Sequence, residues 1–169
     1  TVHSLIAALS RYTGIKLVLI SPEELRVPGY VTKGVINEAG MPYRETESLE
    51  DAMPELDVLY MTRIQQERFT DLAEYERLKD SYILTVDKLE TAKKDLSILH
   101  PLPRVNEISV KVDKDPRACY FMQVDNGKLM RMALILKLLE DAKNPVKVDR
   151  ITGDVVKGKY VCPNHRCIT

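Results

Sequence analysis

Two segments carry residue types suited to holding a small charged molecule. In Thr62-Arg63-Ile64-Gln65-Gln66-Glu67-Arg68 a guanidinium follows directly on the hydrophobic run that ends at Met61. Its planar fork matches a carboxylate or a phosphate through two parallel hydrogen bonds. Gln65 adds a neutral donor and acceptor within reach of the same ligand. A solvated charged loop is the ordinary use of such a segment, and its place at the end of an apolar run is what argues for a ligand. In His100-Pro101-Leu102-Pro103-Arg104 the alternating prolines remove two backbone N–H groups and hold the chain extended. The carbonyls of Pro101 and Leu102 are then left seeking donors, which an amine or amide of a ligand would supply. The competing reading is a rigid turn, with His100 satisfied in the core and Arg104 in a salt bridge.

Two further places hold reactive or polar groups. Thr1-Val2-His3-Ser4 opens a helical pattern, where hydroxyls and unpaired N–H groups either cap the helix or bind an anion. Cys162 and Cys167, four residues apart in between, are half of a tetrahedral zinc site. His165 lies between them and would be cramped as a third ligand; two buried thiols are the alternative. Cys119 is the remaining thiol, and no spacing recommends it as a nucleophile with His100. The sequence contains no G-x-G-x-x-G, no P-loop and no G-x-S-x-G elbow, so dinucleotide, nucleoside triphosphate and serine-hydrolase chemistry lack support.

These residues need elements to position them. Val2, Leu5, Ile6 and Leu9 mark one face of a helix over residues 1–13, and Gly14 suits its left-handed cap. The runs 15–20, 57–61, 82–86 and 97–100 read as buried strands. Helices are expected from Ser21-Pro22-Glu23-Glu24, over 30–38 up to Gly40, from Ser48, around Leu72, Tyr75 and Leu78, over 87–94, and from Gly127 to about Lys143. The stretch 108–122 suits strand or helix. Short apolar strands alternating with helices predict an α/β fold: a doubly wound, mostly parallel sheet with helices on both faces, whose ligands bind beyond the carboxyl ends of the strands. After Asn144-Pro145 the pattern changes to a hairpin around Gly153-Asp154 that leads into the cysteine pair. The expected division is 1–143 and 144–169.

The chain has 169 residues, 44% apolar and 30% charged, with 25 basic and 25 acidic side chains. That balance offers no basic footprint for nucleic acid or an anionic membrane, and no run is long enough to span a bilayer. Three cysteines are too few for a disulfide scaffold and suit a reducing, cytoplasmic setting. A sequence opening on Thr1 and closing on Cys-Ile-Thr reads as a fragment.

In combination the segments become recognisable. DVLYMTRIQQERF (57–69), LHPLPRVNEI (99–108), the opening TVHSL, and Tyr120, Phe121, Gln123, Asn126, Gly127, Arg131, Ala133 and Leu134 resemble the aspartate-binding half of the aspartate transcarbamoylase family over roughly residues 1–143. VCPNHRCIT (161–169) resembles the start of the zinc domain in that system's regulatory chain. The resemblance implies carbamoyl transfer from carbamoyl phosphate to L-aspartate in pyrimidine synthesis. It assigns the aspartate carboxylates to Arg63 and Gln65, further aspartate contact to Thr1, and the amine to the carbonyls of Pro101 and Leu102. It also implies a separate carbamoyl-phosphate domain, with its S-T-R-T segment, that these residues do not contain, a homotrimer or higher assembly, and zinc at Cys162 and Cys167 as a half site. Asn106 and Gln66 depart from the Asp and Lys common in the family. Two alternatives stand beside it: a carbamoyltransferase with another amine acceptor such as ornithine, and a non-catalytic module that docks through a zinc-stabilised surface.

Overall fold

The structure, a computed structural model, describes residues 1–64, 73, 75 and 82–143. The chain divides into two compact units, Thr1–Leu129 and Met130–Thr169. The first unit opens with helix α1 (Val2–Leu9), and Gly14, at φ +79°, turns the chain as its missing Cβ allows. Strand β1 (Leu17–Ile20) follows, then a single 3-10 turn at Glu23–Leu25 where a longer helix was expected. A short helix α2 (Gly29–Val31) widens into a π-helical segment, Thr32–Asn37. Gly40, at φ +62°, ends that stretch where the sequence placed its stop.

Strand β2 (Tyr43–Thr46) was not anticipated, because Arg44, Glu45 and Thr46 lack an apolar period. It pairs in parallel with β1, Leu17 opposite Tyr43 and Ile20 opposite Thr46. Helix α3 (Leu49–Ala52) starts as expected: the Ser48 hydroxyl accepts the Asp51 N–H at 3.0 Å. Strand β3 (Val58–Tyr60) pairs in parallel with β4 (Ser97–Leu99), with Leu59 opposite Ile98. Both strands are shorter than expected. The runs 82–86 and 87–94 reduce to a bridge from Leu84 to Ile108 and a 3-10 turn at Asp87–Leu89. The ambiguous stretch resolves into a 3-10 helix (Val110–Lys114), a bridge from Ala118 to Ile98, and the start of helix α4 (Tyr120–Lys143). The α/β class with parallel strand pairs and covering helices is the one the alternation implied.

Two apolar clusters hold the first unit. The larger gathers Leu49, Ala52, Met53, Leu59, Leu84, Ile98 and Tyr120; the smaller joins Ile6, Val31, Ile36 and Met41. Strand β1 serves both: Val18 and Ile20 pack on the larger cluster, Leu17 and Leu19 on the smaller. That explains its unbroken apolar run, since both faces are covered. Helix α4 was expected to start at Gly127 with one apolar face. It starts at Tyr120 instead, and from Leu129 to Leu139 its apolar residues, among them Met130, Leu134, Ile135 and Leu138, are exposed all round. The helix around Leu72, Tyr75 and Leu78 and the hairpin of 146–161 lie outside the described residues, apart from Tyr75.

Charged clamps tie loops to this core. Arg104 holds Asp113 with both terminal guanidinium nitrogens, at 2.6 Å from Nη2 to Oδ2, and stacks over the Tyr120 ring at 5.7 Å. The Tyr120 hydroxyl also donates to Asp113. The Arg104 hydrogen bonds, outweighing the cost of burial, hold the Asp113 carboxyl down at about 2. Burial and the Asp113 charge push Tyr120 up to about 12. Arg117 donates to the carbonyls of Leu89 and Lys93 at 3.2 Å each, while Asp115 grips its far side.

Two outcomes are expected. A carboxyl lowered from 3.8 to about 2 stabilises the fold fully above its unfolded value and loses that contribution as pH falls through its folded one. Acid unfolding between about pH 5 and pH 2 should therefore show a loss of about 1–2 kcal/mol that Asp113→Asn abolishes, measured by urea titration at each pH. Ile98, 0% exposed and bridging Leu59 and Ala118, should cost about 3 kcal/mol on truncation to Ala, read from the urea midpoint.

Candidate functional site

The parallel register decides where the chemistry gathers. Because β3 and β4 run in the same direction, both leave the sheet at their carboxyl ends side by side, and the Met61 N–H donates to the Leu99 carbonyl at 2.8 Å. The next residues on one strand are Thr62 and Arg63; on the other they are His100, Pro101 and Leu102. A small cavity of about 50 Å³ lies at this end, lined by Thr62, Arg63, Tyr82, Val105, Asn106 and Glu107 among others. Arg63 is exposed at its rim. Tyr82 is fixed on the cavity wall by its hydroxyl, which donates to the Glu47 carbonyl at 2.8 Å. Burial, reinforced by the charges of Glu47, Glu24 and Glu50, raises its pKa, so the hydroxyl stays protonated.

The His100–Arg104 segment is not the extended run that its prolines suggest. The Leu102–Pro103 peptide is cis, and Leu102 itself sits at φ +45°. A leucine in the left-handed region costs about 1–2 kcal/mol and persists only where its surroundings hold it. Those surroundings are two buried polar side chains, His100 at 1% exposure and Glu107 at 5%. His100 Nε2 and Glu107 Oε1 are 2.8 Å apart, and the Leu102 N–H donates to His100 Nδ1 at 2.8 Å. The His100 N–H donates to the side-chain oxygen of Gln123 at 2.9 Å, which anchors the segment to α4. Glu107 accepts the N–H groups of Val105 and Asn106 at 2.9 and 3.0 Å through its other oxygen. Burial pushes the Glu107 carboxyl up, but the backbone N–H donors and His100 outweigh it and leave the pKa below the ordinary value. Among the described residues, neither the Pro101 nor the Leu102 carbonyl accepts a hydrogen bond.

The expected site residues therefore fall into three groups. Arg63, Pro101 and Leu102 follow the carboxyl ends of the paired strands β3 and β4, and of the three only Arg63 lines the cavity. Thr1 caps α1, with its carbonyl accepting from the Leu5 N–H at 3.0 Å and the Ser4 hydroxyl at 2.8 Å, and no described contact joins it to the Arg63 cavity. Gln65, Cys162 and Cys167 lie outside the described residues. Among the described residues no group of three or more His, Cys, Asp or Glu side chains could hold a metal ion. The competing reading of the proline segment is also realised: His100 is satisfied in the core and Arg104 is in a salt bridge. The two carbonyls between them nonetheless accept nothing among the described residues, although the Leu102 N–H is taken up by His100. The sequence assigns no role to Glu107, Tyr82 or Gln123. Glu107 lies within the segment LHPLPRVNEI that carries the resemblance, but nothing in its residue type signals the bonds it makes to its own loop.

The catalytic subunit of aspartate carbamoyltransferase from Clostridium acetobutylicum is 60% identical over 139 residues, which is 82% of this chain and 45% of that protein. Its counterpart from Lachnoclostridium phytofermentans is 58% identical over the same length. The solved catalytic subunit of the M. jannaschii aspartate transcarbamoylase superposes with a TM-score of 0.75 at 44% identity, covering 83% of this chain and 46% of that one. The Trypanosoma cruzi enzyme, solved with carbamoyl phosphate and aspartate, gives a TM-score of 0.72 at 38% identity, covering 80% and 45%. The chain thus spans about half the length of the relatives it matches. No helix among the described residues is long and apolar enough to cross a membrane. Residues 1–138 match the family described as aspartate/ornithine carbamoyltransferase, Asp/Orn binding domain, and the chain belongs to that family.

Proposed function

We propose that this chain is the aspartate-binding half of an aspartate transcarbamoylase, which transfers a carbamoyl group from carbamoyl phosphate to L-aspartate in pyrimidine synthesis. The observation that carries the reading is that a guanidinium, Arg63, and the unpaired carbonyls of Pro101 and Leu102 follow the carboxyl ends of two strands paired in parallel. A dicarboxylate amine needs both: a cation for a carboxylate and acceptors for its N–H groups. Ornithine would present a second ammonium to Arg63, and like charges repel there. The names of the relatives agree with aspartate as the acceptor.

Arg63 binds a carboxylate in bidentate fashion and fixes the long axis of the substrate. Gln65 assists it, and Thr1 adds a further contact. The two carbonyls accept from the neutral amine and aim its lone pair. A carbon–nitrogen bond then forms at the carbamoyl carbon, the carbon–oxygen bond to phosphate breaks, and the amine proton passes to the departing phosphate. Positioning of this kind supplies much of the rate in a two-substrate reaction. The phosphate clamp belongs to a carbamoyl-phosphate domain outside these 169 residues, so the chain alone binds aspartate weakly and does not turn over. The active form is a homotrimer or higher assembly. Residues 144–169 form a separate module, in which Cys162 and Cys167 supply two of the four ligands of a structural zinc ion.

The test joins this chain to the preceding half of the Clostridium acetobutylicum catalytic subunit and measures carbamoyl aspartate. The chimera should turn over with aspartate and not with ornithine; an inactive chimera that is folded overturns the proposal. Arg63→Ala should lower kcat/KM for aspartate about 100-fold or more, and Arg63→Lys should restore little of it, since a point charge replaces a fork. For the terminal module, zinc measured on purified chain should stay below one ion per chain and approach one per two chains where cysteine pairs from two copies share it.

A further inference from the structure

His100 and Glu107 are used by nothing in the reaction above, yet they are the buried polar pair of the described core. Ligand-binding clefts tolerate such groups where they orient something else. The hydrogen bonds settle what they orient. Leu102 N–H donates to His100 Nδ1, so that nitrogen carries no proton, and Nε2 must be the one that donates to Glu107. Glu107, with its second oxygen on the Val105 and Asn106 N–H groups, cannot turn away without leaving those donors unmet.

The consequence follows from peptide planarity. The N–H of Leu102 and the C=O of Pro101 belong to one peptide unit, which is trans, and in a trans unit they point in opposite directions. A Leu102 N–H fixed inward on a buried imidazole therefore drives the Pro101 carbonyl outward, on the side away from His100. The same bond holds Leu102 at its positive φ, which sets the second carbonyl.

We infer that His100, its tautomer fixed by Glu107, is a positioning residue that aims the Pro101 carbonyl at the amine of the substrate. This rests on the aspartate reading above. It makes amine recognition separable from carboxylate recognition, so the probe is succinate, a dicarboxylate with no amine. Three variants are compared in the active chimera. His100→Gln keeps an amide donor for Glu107 and loses the acceptor for Leu102 N–H. His100→Asn keeps that acceptor and loses the link to Glu107. Glu107→Gln puts an amide donor against one of the three donors that the carboxylate satisfied.

His100→Gln should raise KM for aspartate about tenfold or more while the inhibition constant of succinate stays within about twofold. His100→Asn should recover most of the aspartate KM even where its unfolding temperature falls as far as that of His100→Gln. Glu107→Gln should lie between them. Parallel loss of aspartate and succinate affinity, or equal effects of Asn and Gln at His100, would overturn the inference and leave the pair a merely structural one. Wild-type chimera that ignores aspartate defeats the functional reading itself, and this inference with it.

Discussion

The parallel pairing of β3 with β4 is the constraint on which the candidate site depends. Antiparallel strands would send Arg63 and the Pro101–Leu102 segment to opposite ends of the sheet. A parallel pair delivers both to one end with no further instruction, and Ile98, sealed between Leu59 and Ala118, holds the register that does it. A slip of one residue would turn every side chain of so short a strand to its other face. Recognition chemistry here is thus an outcome of core packing: apolar burial fixes the strands, and the strands fix which polar groups meet.

The site divides its work between backbone and side chain. In the proposed reading Arg63, exposed and lining the cavity, supplies the charge. In that reading the carbonyls of Pro101 and Leu102 supply direction, from a backbone that hydrogen bonds tie to Glu107, to Gln123 through the His100 N–H, and to the Arg104–Asp113–Tyr120 clamp. A carbonyl cannot be re-aimed by a rotamer change, so an amine received this way meets fixed acceptors, and little reorganisation is left for the reacting complex.

What the sequence disclosed followed from periodicity and local chemistry. The apolar runs at β1, β3 and β4, the Ser48 cap and the turns at Gly14 and Gly40 are local signals, and each is found in place. The two segments singled out for chemistry do leave adjacent strand ends. Strand β2 was hidden because one of its faces is exposed and Arg44 spends its charge on Glu55, a partner far from it in the fold's local order. The strand expected at 82–86 shrank to a bridge at Leu84, because its partner is the loop around Ile108 and not a regular strand. The early start of α4 at Tyr120 was masked by a polar run through Gln123 to Asn126. Glu107 was invisible for a deeper reason. Its role is defined by a ring nitrogen seven positions back and by N–H groups of its own loop, and neither leaves a pattern in residue types.

The double duty of β1 has a consequence for how the first unit comes apart. With Val18 and Ile20 in one cluster and Leu17 and Leu19 in the other, neither cluster can open without stripping a face of the same strand. The α1 side is therefore not an independent foldon. Its amides should exchange with solvent through the same cooperative opening as those of β3 and β4.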